Sequence, residues 1–172
     1  MLTQGQEKWI NHLSDVDKIK IVPFNPMSQE EFEKIKSLIQ SKIGPTVRVE
    51  HRGASYLGIS GHNEIDIYVP VSESLFDNFI VQLSELFGEP HRVYPLERAR
   101  FNAPDNGIRI DIHLVNKEHA SWLNSEKFEN YLKTHPETLE ECRLLKEAGD
   151  GLSIREYYRG KIEFINNILA KV

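Results

Sequence analysis

Residues 51–69 read HRGASYLGISGHNEIDIYV, and this stretch decides the fold. From residue 64 onward, apolar and polar residues alternate, which predicts a strand because residues two apart point to the same face. Glu64 and Asp66 therefore share one face, just after a glycine-containing turn that begins at Gly53. Two carboxylates beside a flexible turn are suited to holding a divalent metal and a polyphosphate.

Composition limits the classes of protein to which the chain can belong. Its 172 residues predict one domain, residues 1–172, with a core of its own. The net charge of −5 gives no global basic field, so nucleic acid and anionic membranes are unlikely partners. A nucleic-acid-binding module is therefore the weakest functional class.

Three features favour a cytoplasmic location. Cys142 is the only cysteine, which excludes intramolecular disulfides and disfavours a cysteine-based zinc site. The N-terminus has no apolar segment typical of a signal peptide. No segment approaches the roughly 20 apolar residues of a membrane span.

Hydrophobic periodicity predicts strands mixed with helices up to residue 115, and helices after it. The predicted strands are 18–24, 46–51, 64–69, 97–102 and 108–115. The predicted helices are 5–13, 28–42 (with a capping box at Ser28) and 72 or 74 to 87. Residues 116–172 are predicted as a helical C-terminal subregion, with one helix from Pro136 and a last one capped by Ser153. Pro104-Asp105-Asn106-Gly107 predicts a hairpin turn.

Three of the predicted strands carry charged residues on one face and apolar residues on the other. A sheet with helices on one side and a solvated cleft on the other gives this pattern. The polar face would hold Glu64, Asp66, Arg98, Arg100, Arg109, Asp111 and His113. An ordinary charged outer face and a ligand site are both open interpretations. Clustered acids repel one another unless a cation or arginines compensate, which favours the second.

Such a face carries the types of residue that phosphoryl transfer uses. Carboxylates bind Mg²⁺ together with substrate phosphates, and two such ions can clamp an in-line displacement. Arginines hold phosphate oxygens bidentately, and a glycine turn lets backbone N–H groups approach a phosphate. Positioning and electrostatics would supply the catalysis, without a covalent nucleophile.

The order of these residues resembles a known pattern. Gly53-Ala54-Ser55, then Glu64 and Asp66, then Asp111 on a later strand resembles the nucleotidyltransferase superfamily. Within it, the chain resembles the GrpB family over about residues 20–170. That resemblance rests on residues 51–55, 65–67, 110–114, 131–137, Tyr158, Lys161, Phe164 and Ile165.

The resemblance implies both a fold and a site. The fold is a nucleotidyltransferase-like mixed α/β sheet with helices on one face and a helical C-terminal part. The implied ligands are Mg²⁺ or Mn²⁺, a nucleoside triphosphate and an unidentified small-molecule acceptor. Glu64, Asp66 and Asp111 are the implied catalytic and metal-binding acids. The residues expected at the nucleotide and its phosphates are Gly53, Ala54, Ser55, Arg98, Arg100, Arg109 and Lys161.

Two departures from the superfamily pattern keep a second hypothesis open. Ala54 stands where serine or glycine is usual, and Glu64 stands where aspartate is commoner. A catalytically inactive nucleotide-binding or protein-interaction module on the same fold is the alternative to the transferase. His113 also has two interpretations, as a base or ligand beside Asp111 or as a surface histidine.

Overall fold

A computed structural model describes residues 1–103 and 107–172. These residues form seven α-helices and one five-stranded sheet. They divide into a sheet unit (Phe24–Ile59 and Asn63–Leu123) and a helical unit (Met1–Pro23, Ser60–His62 and Asn124–Val172). The mixed α/β fold with a helical C-terminal part is confirmed, and the single domain stays a prediction. Within the described ranges, no helix is long and apolar enough to cross a membrane.

The elements follow one another along the chain. The strands are β1 (Glu50–Arg52), β2 (Glu64–Val71), β3 (Arg92–Tyr94), β4 (Arg98–Ala103) and β5 (Arg109–Asn116). The helices are α1 (Gln4–Asn11), α2 (Ser28–Lys42), α3 (Gly53–Leu57), α4 (Phe76–Phe87), α5 (Ala120–Thr134), α6 (Pro136–Ala148) and α7 (Ile154–Leu169).

The sheet has the order β1-β2-β5-β4-β3. Its two central strands, β2 and β5, are parallel, and every other neighbouring pair is antiparallel. The central pairing sets Asp66 directly opposite Asp111. Because side chains along a strand alternate with a period of two, Glu64, Asp66, Arg109, Asp111 and His113 then lie on the same face.

The other face of the sheet carries the core of the sheet unit. α2 and α4 pack on it, and Phe32, Ile39, Phe76 and Leu83 are buried there. The strand residues of the same core are Ile65, Ile67, Val69, Ala99, Phe101, Ile110, Ile112 and Leu114. Burying one such isoleucine or leucine side chain is worth about 1.5–3 kcal/mol, so this face supplies most of the stability of the unit.

Several boundaries predicted from the sequence are wrong. The strand at 18–24 does not form: only isolated bridges pair Lys18 with Ser153 and Val22 with Gly61. The strand at 46–51 is reduced to the short β1. Pro70 does not end β2, which runs on to Val71 beside β5. The exposed edge strand β3 was not predicted, because Arg92–Tyr94 is too short to show an alternation.

Two local motifs also differ from the prediction. The residues after Gly53 form the short helix α3 rather than an open turn. The cap of α2 is Met27, and Ser28 Oγ instead donates to the carbonyl of Asn25 at 2.7 Å. The tip of the predicted hairpin, Pro104-Asp105-Asn106, lies outside the described residues, and the strands on either side of it pair antiparallel.

The helical unit contains α1, α6, α7 and most of α5. The predicted cap of α7 is confirmed as a full capping box, in which Ser153 Oγ accepts from the backbone N–H of Glu156. Tyr157 and Ile168 are buried along this helix, and Trp9 of α1 meets the ring of Tyr158 edge to face. Cys142 is buried on α6, and burial raises the pKa of its thiol.

Candidate functional site

Two aspartates and a histidine converge at the centre of the polar face. Asp66 on β2 and Asp111 on β5 are register partners, and His113 is two residues further along β5. Each offers one ligand atom, and these atoms all lie within 4.8 Å of one another. Asp111 is only 1% exposed, so its carboxylate needs compensating partners. Chain segments far apart in sequence thus form one acidic group whose ligand atoms are close enough together to hold a cation.

The position of His113 is determined by two neighbours. Its Nε2 donates to Asp66 Oδ1 at 3.2 Å. Its ring stacks on Tyr68, with ring centres 4.5 Å apart and planes within 11°. His113 is therefore a partly buried, hydrogen-bonded histidine, and its role as a ligand or base stays a prediction.

Two arginines already contact Asp111. Arg100 on β4 forms a short charge-assisted hydrogen bond with Asp111 Oδ2. The Nε of Arg109 is 3.4 Å from the same oxygen. These contacts compensate the charge of Asp111, so the acidic pair can form without a cation.

Glu64 has a different partner. Its carboxylate pairs with Arg109, which is also its register neighbour across β2 and β5. Among the described residues, the group of metal-ligand type consists of Asp66, Asp111 and His113 and does not include Glu64. A role for Glu64 as the third metal-binding acid stays a prediction.

The predicted glycine position does lie beside the acids. Gly53 begins α3 with a φ of +75°, a conformation that favours glycine. A Cβ added at this residue would stand 2.6 Å from Asp66 Oδ2, closer than any real Cβ contact. The backbone at the start of α3 can approach the carboxylate only because residue 53 has no side chain. Ala54 follows in the same short helix and is partly buried.

Ser55 has a partner away from the acids. Its hydroxyl is 2.9 Å from His51 Nε2, and His51 Nδ1 is 3.2 Å from Gln29 Oε1. Since Gln29 Nε2 donates to Glu33, Oε1 accepts from His51, and Nε2 of His51 accepts from Ser55. His51 is opposite Ile67 on the apolar face and stacks on Phe32. Sequence reasoning missed this network, because its members come from α2, β1 and α3.

A column of cationic and aromatic side chains on the polar face was also missed. The guanidinium of Arg52 is 4.5 Å from the ring of Trp122 and 5.6 Å from that of Tyr68. Arg52 is 5% exposed and is the register neighbour of Asp66. Arg52 is on the same face of β1 as Glu50, but no local pattern indicates that Trp122 would cover it.

The two remaining predicted ligands lie elsewhere. Arg98 is on β4 opposite Tyr94, and its guanidinium lies 4.5 Å from that ring. Lys161 is on α7 in the helical unit, where its Nζ is 5.3 Å from the ring of Tyr158. A contact of Lys161 with nucleotide stays a prediction.

Comparison with known proteins decides the family. The family model described as GrpB protein matches residues 18–171 of this chain. The chain belongs to the GrpB family. The crystal structure of conserved protein GrpB from Enterococcus faecalis is similar to it, with a TM-score of 0.67 and 18% sequence identity. That likeness covers 88% of this chain and 98% of the other, and at this identity it shows the fold alone. A comparison with curated proteins gives no match.

The GrpB membership expected from the sequence is therefore confirmed. The matched range includes every residue of the acidic group, from Asp66 to His113. The wider placement among nucleotidyltransferases, and any activity that follows from it, belong to the proposal below.

Proposed function

We propose that this GrpB protein is a metal-dependent nucleotidyltransferase-like protein, which transfers a nucleotidyl group from a nucleoside triphosphate to a small-molecule acceptor. The observation that carries the proposal is the convergence of Asp66, Asp111 and His113, whose ligand atoms lie within 4.8 Å of one another. Ordinary charged sheet faces do not require a nearly fully buried aspartate beside a second one.

The donor set fits a divalent cation. Asp66 and Asp111 supply the one or two carboxylates with which proteins usually hold Mg²⁺, the remaining ligands being water and substrate phosphates. Carboxylate ligands suit Mn²⁺ as well as Mg²⁺. The bound ion would supply charge stabilisation at the phosphoryl oxygens. Glu64 would become a further metal ligand once Arg109 leaves its carboxylate and binds a phosphate instead.

The arginines have a role in both states of this site. Without ligand, Arg100 and Arg109 neutralise Asp111, which keeps the acidic pair stable. With a cation bound to Asp111, the same guanidinium groups become available for phosphate oxygens, which they hold in bidentate, charge-assisted hydrogen bonds. Both side chains are partly exposed, Arg100 by 37% and Arg109 by 55%, and this exposure allows the exchange of partners.

Gly53 supports the placement of the nucleotide. The close approach of the α3 backbone to Asp66 leaves no side chain between them. A triphosphate held there would contact Gly53 and Ala54, while Ser55 reaches it only by leaving His51.

A thermal-shift titration with nucleoside triphosphates and Mg²⁺ or Mn²⁺ tests the proposal. A ligand that binds only the folded state, at about 100 times its Kd, stabilises it by about 2.7 kcal/mol. We expect metal-dependent stabilisation of the wild type and its loss in Asp66→Asn. Asp77→Asn makes the same chemical change at an exposed position of α4 and serves as the control. A wild type that no nucleotide stabilises with either metal would contradict the proposal.

Three contacts favour the second candidate function, an inactive nucleotide-binding or protein-interaction module. Arg100 and Arg109 occupy the Asp111 carboxylate, and the hydroxyl of Ser55 is engaged with His51. A module of this kind binds nucleotide without releasing pyrophosphate. Metal-dependent release of pyrophosphate in the presence of a broad acceptor mixture would exclude it.

A further inference from the structure

A pocket lies on the polar face, next to the acidic group and nearer the β3 edge. It has a volume of about 60 Å³ and is lined by Arg92, Tyr94, Arg98, Arg100 and His113. The sheet order places it on the β4 side of Asp111, whereas Gly53 meets Asp66 from the β1 side. The acidic group therefore has a different neighbour on each side.

The pocket carries an excess of positive charge. Arg92 and Arg100 are directly opposite each other across β3 and β4. Like charges at directly opposed positions destabilise a sheet. Asp111 compensates Arg100, and Glu97 lies 3.8 Å from Arg98. Within residues 1–103 and 107–172, Arg92 has no acidic partner at ion-pair distance. The repulsion between Arg92 and Arg100 is therefore compensated at Arg100 but not at Arg92.

The neighbouring histidine reports the same positive field. The pKa of His91 is lowered, first by partial burial and then by the positive charge of Arg100, with a smaller effect of Arg92. Asp111 opposes this shift and does not cancel it. An anion placed among these arginines would relieve the repulsion between them.

We propose that this pocket binds the phosphate group of the acceptor, which makes the acceptor a small phosphomonoester. The planar forks of Arg92, Arg98 and Arg100 match phosphate oxygens, and the ring of Tyr94 holds the Arg98 guanidinium in place at 4.5 Å. The pocket is large enough for one such group and too small for a nucleotide. The assignment of this phosphate to an acceptor rests on the proposed function, whereas the binding of phosphate in the pocket does not.

The proposal also divides the arginines between two ligands. Arg98, expected from the sequence beside the nucleotide, belongs by position to the acceptor. Arg109 is not among the lining residues and remains with the nucleotide. Arg100 lines the pocket and contacts Asp111, so it joins the two halves of the site.

Isothermal titration with inorganic phosphate at constant ionic strength tests the pocket. We expect saturable binding to the wild type. Losing one charge-assisted hydrogen bond weakens binding about tenfold or more, so Arg92→Gln and Arg98→Gln should each do so. Arg48→Gln removes the same charge before β1, outside the pocket, and should change the affinity by about twofold or less. Absence of saturable binding, or an equal loss in Arg48→Gln, would overturn the proposal.

Two further arms of this titration identify the ligand and its role. Acetate should bind more weakly than phosphate, and equal affinities would overturn the phosphate assignment. With a non-hydrolysable nucleoside triphosphate and Mg²⁺ present, phosphate should still bind, since Arg92 and Arg98 belong to the pocket and Arg100 is the residue that the two ligands share. Competition between them would assign the pocket to the nucleotide and overturn its assignment to the acceptor.

Asp66→Asn separates this proposal from the proposed function. The variant should lose the metal-dependent binding of nucleotide and keep the binding of phosphate. A wild type that binds phosphate through Arg92 and Arg98 but never binds nucleotide would refute the proposed function and leave the phosphate site standing.

Discussion

The two faces of the sheet are made by the same strands and follow different rules. On the apolar face, Ile65, Ile67 and Ile112 are fully buried against α2 and α4. On the polar face, Asp66 lies beside Asp111, and arginines compensate both acidic strands. Any apolar neighbour satisfies a buried isoleucine, but a buried carboxylate needs a particular partner. The first face is therefore determined by periodicity, and the second by register.

This difference makes the polar face costly to keep. Replacing it with small neutral residues would remove the repulsion between Arg92 and Arg100 and the burial of Asp111. Structural stability alone does not require either feature. Proteins retain such arrangements at sites where a ligand supplies the missing charge.

Truncating the apolar face should give the largest loss of stability. Ile67→Ala removes a fully buried side chain at the centre of β2 and should lower the free energy of unfolding by about 2–5 kcal/mol. Asp66→Asn, one residue away on the polar face, should change it by about 1 kcal/mol or less, because its ion pair with His113 is partly exposed to solvent.

Urea denaturation of the two variants measures both effects. If Asp66→Asn destabilised the chain as much as Ile67→Ala, the acidic group would be a structural element and the contrast between the faces would fail.

A substitution where the α3 backbone meets the acids should give a smaller but more specific effect. Gly53→Ala adds a Cβ 2.6 Å from Asp66 Oδ2 at a φ of +75°. We expect loss of metal-dependent nucleotide binding, together with a backbone cost of about 1–2 kcal/mol. Thermal shift with and without ligand measures both.

Gly58→Ala is the matched control. Its φ is +69°, but among the described residues no atom beyond its chain neighbours lies within 4 Å of an added Cβ, so it shares the backbone strain and not the clash. If both variants lost nucleotide binding equally, strain in α3 would explain the loss, and the approach to Asp66 would have no functional role.

The sequence predicts the fold better than the site. The apolar face follows from periodicity, which the sequence shows, whereas the polar face follows from register, which it does not. β2, β4 and β5 were placed to within one or two residues, because Ile65, Ile67 and Ile112 alternate with polar residues. The pairing of Asp66 with Asp111 follows from that alternation once the two strands are adjacent. Short elements were lost: β3 is too short to show a period, and α3 begins with glycine.

The pairing between charges was beyond sequence reasoning. Glu64 was grouped with Asp66 because both lie on one face, but its register neighbour Arg109 takes its carboxylate. The link between Ser55 and His51 depends on how α3 folds back on β1, which no local pattern specifies. Such contacts require the relative positions of strands that are distant in the chain.

The smallest expected effect is a shift in the pKa of His91, beside the arginine pocket. Arg92→Gln should raise the pKa of His91 slightly, because removing a nearby cation favours the imidazolium form. The pKa should stay below its usual value, since burial and Arg100 remain. Histidine proton resonances followed against pH give the value, with Arg48→Gln as the control of equal charge. A fall in the pKa would contradict the positive field assigned to this pocket.

Binding of Mn²⁺ tests the central claim most directly, that Asp66, Asp111 and His113 form a cation site. In the absence of nucleotide, the electron paramagnetic resonance signal of free Mn²⁺ decreases as the ion binds, and the decrease gives the bound fraction. The account predicts saturable binding to the wild type, weakened about tenfold or more by Asp66→Asn and unchanged by Asp77→Asn. A wild type that does not bind Mn²⁺ saturably, or an equal loss in both variants, would contradict it.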